Sequence, residues 1–122
     1  MRGKRVLVID DSPLILAAAK QALAAAGYDV ATRDSVDEIG ALGAEGFDLI
    51  LMDVQMPELY GDDVAAVLRN ERGVKTPIYL FSTLADDELR ERARDAGVDG
   101  FISKDAGLDH LVAEVARILS PT

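Results

Sequence analysis

Short apolar runs that stop abruptly at acidic, hydroxyl or basic residues alternate with helix-length stretches along this chain. Residues 6–9 are all apolar and mostly β-branched, and they halt at Asp10-Asp11. Residues 47–52 are apolar apart from Asp48 and halt at Asp53, 78–81 halt at Ser82-Thr83, and 100–103 halt at Lys104. Residues 28–32 form a short, mixed run. Nearly continuous apolar strands are what a parallel sheet needs when both of its faces are covered, because neither face meets water.

The intervening stretches read as helices. Over 13–26, Ser12 suits an N-cap, Pro13 the first helical position and Gly27 the stop. Ile15, Ala19, Ala22, Leu23 and Ala26 form an inward stripe there, leaving Leu14, Ala17 and Ala18 over. Ser35-Val36-Asp37-Glu38 has the pattern of a capping box and opens a helix ending near 43–46. A short helix is expected over 62–71. A fourth, over 86–96, turns Leu89, Ala93 and Ala96 inward and Arg90, Glu91 and Arg94 outward. The last, over 108–119, carries Leu108, Leu111, Val112, Val115 and Ile118 with Leu119 on one stripe. Five strands alternating with five helices predict right-handed crossovers and an open three-layer α/β/α sandwich. The expected organisation is one domain, residues 1–122.

Composition removes several function classes. There is no cysteine, so thiol catalysis, cysteine zinc sites and disulfides are excluded. One histidine, His110, leaves no multi-histidine metal site. Thirteen Lys+Arg against 22 Asp+Glu give a net charge of −9. Such a surface repels nucleic acid and anionic lipid, so direct nucleic-acid binding is not expected. No apolar stretch approaches the ~20 residues that span a bilayer. The expected location is the cytoplasm.

In an open parallel sheet, ligands bind beyond the carboxyl ends of the strands, where the winding direction reverses. The reactive residues stand there: Asp10 and Asp11, Asp53, Ser82 with Thr83, and Lys104. If the third strand lies beside the first, three carboxylates meet. Clustered carboxylates either raise a pKa or take up a cation, and oxygen-only ligands favour Mg²⁺ or Mn²⁺. A carboxylate beside such a cation can attack a phosphoryl group. A lysine and a hydroxyl supply what the remaining phosphoryl oxygens require. Each residue alone is ordinary capping or turn material; their joint order makes the site.

With these residues in place, the sequence resembles the receiver domain of two-component response regulators over its whole length. Residues 53–61, Asp-Val-Gln-Met-Pro-Glu-Leu-Tyr-Gly, match the family's D-x-x-M-P-x-x-x-G loop, and the segments 77–82 and 97–104 match the motifs of the fourth and fifth strands. The resemblance implies a doubly wound (βα)5 flavodoxin-like sheet of order 2-1-3-4-5. It implies that Asp53 is the phosphoacceptor, that Asp11 and Asp53 ligate Mg²⁺, Asp10 largely through water, and that the Gln55 backbone carbonyl joins them. Mn²⁺ is a substitute ion. Lys104 would pair with Asp53 and then with the phosphoryl group, Ser82 would be the switch hydroxyl, and Phe101 the aromatic that follows it. The implied partners are a histidine kinase or histidine phosphotransfer protein, docking on the first helix beside Leu14. A downstream protein, or a second copy, would dock on the face made by the 86–96 helix, the fifth strand and the last helix, where Arg90, Arg94, His110, Glu114 and Arg117 are expected to be exposed.

Three positions depart from the family pattern. Asp105 replaces the proline that usually follows the lysine, so a trans bond and a reshaped loop are expected, at issue being whether Lys104 still reaches the site. Thr83 follows the switch hydroxyl where a very small residue is usual, and Leu84 is apolar. These departures keep an alternative open: a pseudo-receiver acting as a constitutive interaction module. An aspartyl-phosphate phosphatase fits poorly, because its D-x-D motif is replaced by adjacent Asp10 and Asp11. A flavin site fits worse, because the acidic loop 10–13 would repel the flavin phosphate.

Overall fold

The computed structural model describes residues 4–35, 46–56 and 59–120, with the side chain of Leu59 excepted. The helix expected after Ser35, and Pro57 and Glu58 of the loop after Asp53, lie outside the described residues. Within them, the chain runs β1 (Arg5–Ile9), α1 (Pro13–Ala25), β2 (Asp29–Arg33), β3 (Leu49–Met52), α2 (Gly61–Asn70), β4 (Ile78–Ser82), α3 (Asp86–Ala96), β5 (Gly100–Ser103) and α4 (Leu108–Leu119). A two-stranded ribbon, Gln55–Met56 with Leu59–Tyr60, precedes α2.

The five strands form one parallel sheet of order β2-β1-β3-β4-β5, the order the family resemblance implies. Alternate side chains of each strand feed opposite cores. Leu7, Ile9, Ile50, Met52, Ile78 and Leu80 pack with Ala65 and Leu68 of α2 and with Leu89 and Ala93 of α3. Val6, Val8, Leu49 and Leu51 pack on the other face with Leu16, Ala19 and Leu23 of α1 and with Leu111 and Val115 of α4. Both faces are dry along β1, β3 and β4, which is why these strands carry few polar residues before their carboxyl ends.

Several expectations shift, among them Leu108, expected on the inward stripe of the last helix but 44% exposed. The second strand is Asp29–Arg33 rather than 28–32, because pairing with β1 sets Arg5 opposite Asp29 and Ile9 opposite Arg33. The third strand begins at Leu49, two residues later than expected. On α1 the buried residues are Leu16, Ala19 and Leu23, while Ile15 and Ala22 are half-buried and Ala26 is exposed as the C-cap. Ser12 caps α1 as expected, its Oγ accepting from the Ile15 amide at 3.3 Å, and Leu14 stands 79% exposed. Among the described residues, no helix is long and apolar enough to cross a membrane.

Candidate functional site

Strand register assembles the site. Ile9 lies opposite Met52, so Asp10 and Asp53 leave adjacent strands side by side, and the Asp53 amide donates to the Ile9 carbonyl at 2.8 Å. Ser82 lies opposite Ser103, so Lys104 leaves β5 just beyond it. Asp10, Asp53 and Ser82 are the polar residues buried among those described. Carboxylate oxygens of Asp10, Asp11 and Asp53 lie within 4.8 Å of one another, with Asp11 exposed at the mouth.

Lys104 reaches this cluster. Its Nζ stands 2.5 Å from Asp10 Oδ2 and donates to Asp53 Oδ1 at 3.3 Å. The Lys104–Asp105 bond is trans, and a 3₁₀ turn, Lys104–Ala106, follows. Ser103 Oγ accepts from the Asp105 amide at 3.3 Å, so this turn does without the proline and still delivers the lysine.

The Asp10 carboxylate is poorly satisfied. Its Oδ1 accepts from the Ser12 amide at 2.9 Å, but Oδ2 is fully buried and accepts no directed hydrogen bond. The lysine beside it supplies charge without the alignment that a hydrogen bond needs. At Asp53, Oδ1 also accepts from the Gln55 amide at 3.3 Å, leaving Oδ2 without a donor among the described residues. Burial raises the Asp53 carboxyl from 3.8 to about 6; Lys104 opposes the rise, and Asp10 adds to it.

This donor set fits a hard divalent cation. Three carboxylates converge with no histidine or cysteine among them, and one buried oxygen accepts no directed hydrogen bond. Asp10, Asp11 and Asp53 would hold the ion.

Ser82 Oγ accepts from the Leu84 amide at 3.2 Å, which leaves its own hydrogen free to donate. Thr83 is exposed, and Leu84 turns into the core on the α2–α3 side. Phe101 is half-buried against the same core, with the Arg90 guanidinium 5.5 Å from its ring centre.

The loop after Asp53 closes on itself through Gly61. Its amide donates to the Val54 carbonyl at 2.8 Å, and a Cβ at this position would lie 1.7 Å from the Asp53 carbonyl oxygen. The last residue of the loop motif is therefore glycine because the backbone of Asp53 occupies the space a side chain would need.

The family model of the response regulator receiver domain matches residues 6–116. The chain belongs to that family. Known structures agree with the fold of this receiver domain. The chemotaxis protein CheY4 of Vibrio cholerae is 30% identical, with a TM-score of 0.83 over 96% of this chain and 99% of that one. The BeF3-activated receiver domain of DrrB is 27% identical, with a TM-score of 0.80 over 98% and 99% of the two chains. The transcriptional regulatory protein KdpE of Mycobacterium tuberculosis is 34% identical over 113 residues, which are 90% of this chain and 48% of that protein. A gliding motility regulatory protein of Myxococcus xanthus is 34% identical over 117 residues, 93% of this chain and 15% of its own length. The receiver domain thus spans half or less of these two curated relatives.

Away from the acids, Tyr79, Phe101, His110, Glu114 and Arg117 line a groove of about 590 Å³ beside β5 and α4. Arg117 grips Glu114 through two bonds of 3.1 and 3.2 Å, which holds the Glu114 carboxyl below its usual range and half-buries it. Arg90, Arg94, His110 and Arg117 are exposed, as the sequence predicts.

A group that sequence reasoning missed sits behind the loop. Arg92 of α3 contacts Tyr60, Asp62 and Glu88. The signal available was an arginine amid acids on one helix, which by itself points only to a solvated face.

Proposed function

We propose that this receiver domain is a phosphorylation-dependent signalling switch that takes a phosphoryl group from a phosphohistidine onto Asp53. The observation carrying this reading is the state of Asp53: buried, gripped by Lys104 through one oxygen, and free at the other. With its pKa near 6, the carboxylate is mostly ionised at pH 7, and so able to attack.

In the transfer, Asp53 Oδ2 attacks phosphorus. The new P–O bond forms as the P–N bond to histidine breaks, and the electron pair leaves with the imidazole nitrogen. Lys104 follows from Asp53 to a phosphoryl oxygen, and Ser82 donates its free hydroxyl hydrogen to another. Mg²⁺, held by Asp10, Asp11, Asp53 and the Gln55 carbonyl, would supply charge neutralisation for the phosphoryl oxygens. Loss of the group reverses the bookkeeping: water attacks phosphorus, and the electron pair returns to the Asp53 carboxylate. Ser82, drawn inward, vacates space toward Phe101, so the signal leaves through β5 to the groove beside α4. A neighbouring fold captured in its BeF3-activated form supports this reading, since fluoroberyllate stands in for a phosphoryl group on a carboxylate.

A histidine kinase or a histidine phosphotransfer protein is the proposed donor, and a protein target or second copy is the proposed reader of the groove. Intact-mass measurement after treatment with acetyl phosphate and Mg²⁺ tests the proposal. One added phosphoryl group is expected, absent from Asp53→Asn and from samples with excess chelator. No addition to the wild-type chain would leave the pseudo-receiver as the surviving reading.

A further inference from the structure

We propose that Arg92 is a positioning residue for the acceptor loop, clamping both residues that flank Gly61 onto α3; the inference rests on the phosphoacceptor reading of Asp53. Gly61 is the point where the loop returns to its own start, its amide on Val54 and its Cα against the Asp53 carbonyl. A displacement of Gly61 therefore displaces the peptide that carries the acceptor carboxylate.

Both neighbours of Gly61 are held by one side chain. On one side, the Arg92 guanidinium lies 5.2 Å from the centre of the Tyr60 ring. On the other, Arg92 Nη1 donates to Asp62 Oδ1 and Oδ2 at 3.2 and 3.1 Å. Glu88 completes the fork, accepting from Nε at 3.0 Å. Tyr60 is 53% exposed, so its ring has little else to fix it. Arg92 and Asp62 are themselves largely shielded, where a forked ion pair is stronger than one in open water. Only a planar, forked cation can serve two carboxylates at its edges and a ring at its face.

The two carboxylates also belong to two helix starts. Asp62 is in the first turn of α2, and Glu88 in the first turn of α3. Each is favoured there by the amide groups of its own helix terminus. Arg92 thus ties the beginning of α2, where the loop ends, to the beginning of α3, a short step beyond Ser82. The two arms of the site, acceptor loop and switch hydroxyl, are joined outside the pocket as well as across it.

The test reads two quantities on Arg92→Met, which keeps the stem and removes the fork. Hydrogen exchange at the Gly61 amide reports the closure of the loop without any phosphoryl donor, and labelling by acetyl phosphate with Mg²⁺ reports the placement of Asp53. Exchange at Gly61 and its loop neighbours is expected to rise about ten-fold, with β2 and α4 amides unchanged. Labelling is expected to slow about five-fold at a temperature where the variant is fully folded. Arg92→Lys, which keeps charge but not the fork, should fall between the two. Arg94→Met, which changes an exposed arginine of the same helix that takes no part in the clamp, should match the wild type. Wild-type exchange at Gly61 in Arg92→Met, or exchange raised evenly over the whole chain, would overturn the proposal. Should Arg92→Met not fold, Asp62→Asn opens the same clamp from its other side and is read the same way. If the wild-type chain takes no phosphoryl group, the phosphoacceptor reading falls, while the exchange measurement still decides the clamp.

Discussion

Replacing Gly61 with alanine adds a single methyl group, and the structure makes that methyl costly. It would stand 1.7 Å from the Asp53 carbonyl oxygen, 2.8 Å from its carbon and 2.9 Å from Met52 Cγ. Non-bonded heavy atoms settle near 3.5 Å, so something must retreat by well over 1 Å. The obstacle is backbone, and it is pinned: the Asp53 amide is bonded to Ile9 on the neighbouring strand. Overpacking of this kind costs about 1–3 kcal/mol, and losing the bond from Gly61 to Val54 costs about 1 kcal/mol more. Alanine returns only ~0.4–1 kcal/mol by restricting the unfolded chain. The expected net loss is about 2 kcal/mol, which moves a urea midpoint down by about 1 M. Because the retreating group is the acceptor's own peptide, labelling of Asp53 by acetyl phosphate should fall with it under folding conditions. Gly97→Ala is the matched control. Gly97 caps α3 at φ 73° with open space around it, so alanine there should cost only about 1 kcal/mol in added conformational strain and label normally. A Gly61→Ala protein as stable as the wild type, or stabilised as an unhindered helix-start glycine would be, would refute the steric account of this motif.

Two further outcomes follow from the acid cluster and from α1. The folded Asp53 carboxyl titrates near 6 and the unfolded one near 3.8, so between those values the folded state binds more protons, and stability falls as pH rises. The penalty is absent below about pH 4 and complete above about pH 6, where it reaches about 3 kcal/mol at ~1.4 kcal/mol per pH unit. Without divalent ions, Asp53→Asn should therefore match the wild type in denaturant midpoint at pH 4 and exceed it at pH 7; an advantage that does not grow with pH would disprove the assignment. Leu14→Asp alters a side chain already 79% exposed, so stability should change by no more than about 0.5 kcal/mol. Transfer from the cognate phosphohistidine protein should slow while acetyl-phosphate labelling stays intact; equal loss with both donors would place the defect in the site instead.

The strand ends were legible in the sequence because a parallel sheet buried on both faces tolerates polar residues only where it stops. Asp10, Asp53, Ser82 and Lys104 therefore announced both the sheet and the site. The phase of α1 was not legible. Alanine dominates that helix, and with Lys20 its only charge there is no polar face to fix the rotation, so Ala26 was expected inside where Leu16 is. The start of β2 depended on its partner strand rather than on its own residues. The Arg92 clamp joins residues about thirty positions apart, and a surface arginine among acids carries no mark of the partner it will choose. Gly61 lay between these cases: the motif supplied the residue, and only the fold supplied the reason.

The pocket also has a valence. Three carboxylates and one ammonium leave two uncompensated negative charges, the deficit that one divalent ion makes good. Converting a carboxylate into an acyl phosphate reopens that deficit by one, since the new group carries about two negative charges where the old one carried one. On the proposed reading, a pocket balanced by a divalent ion would become anionic at the moment of transfer, and the imbalance would draw on whatever donor hydrogens stand nearby. Ser82, buried and with its hydrogen uncommitted, is the neutral group placed to answer. On the proposed reading, the conformational signal would be the settlement of a mismatch of one elementary charge.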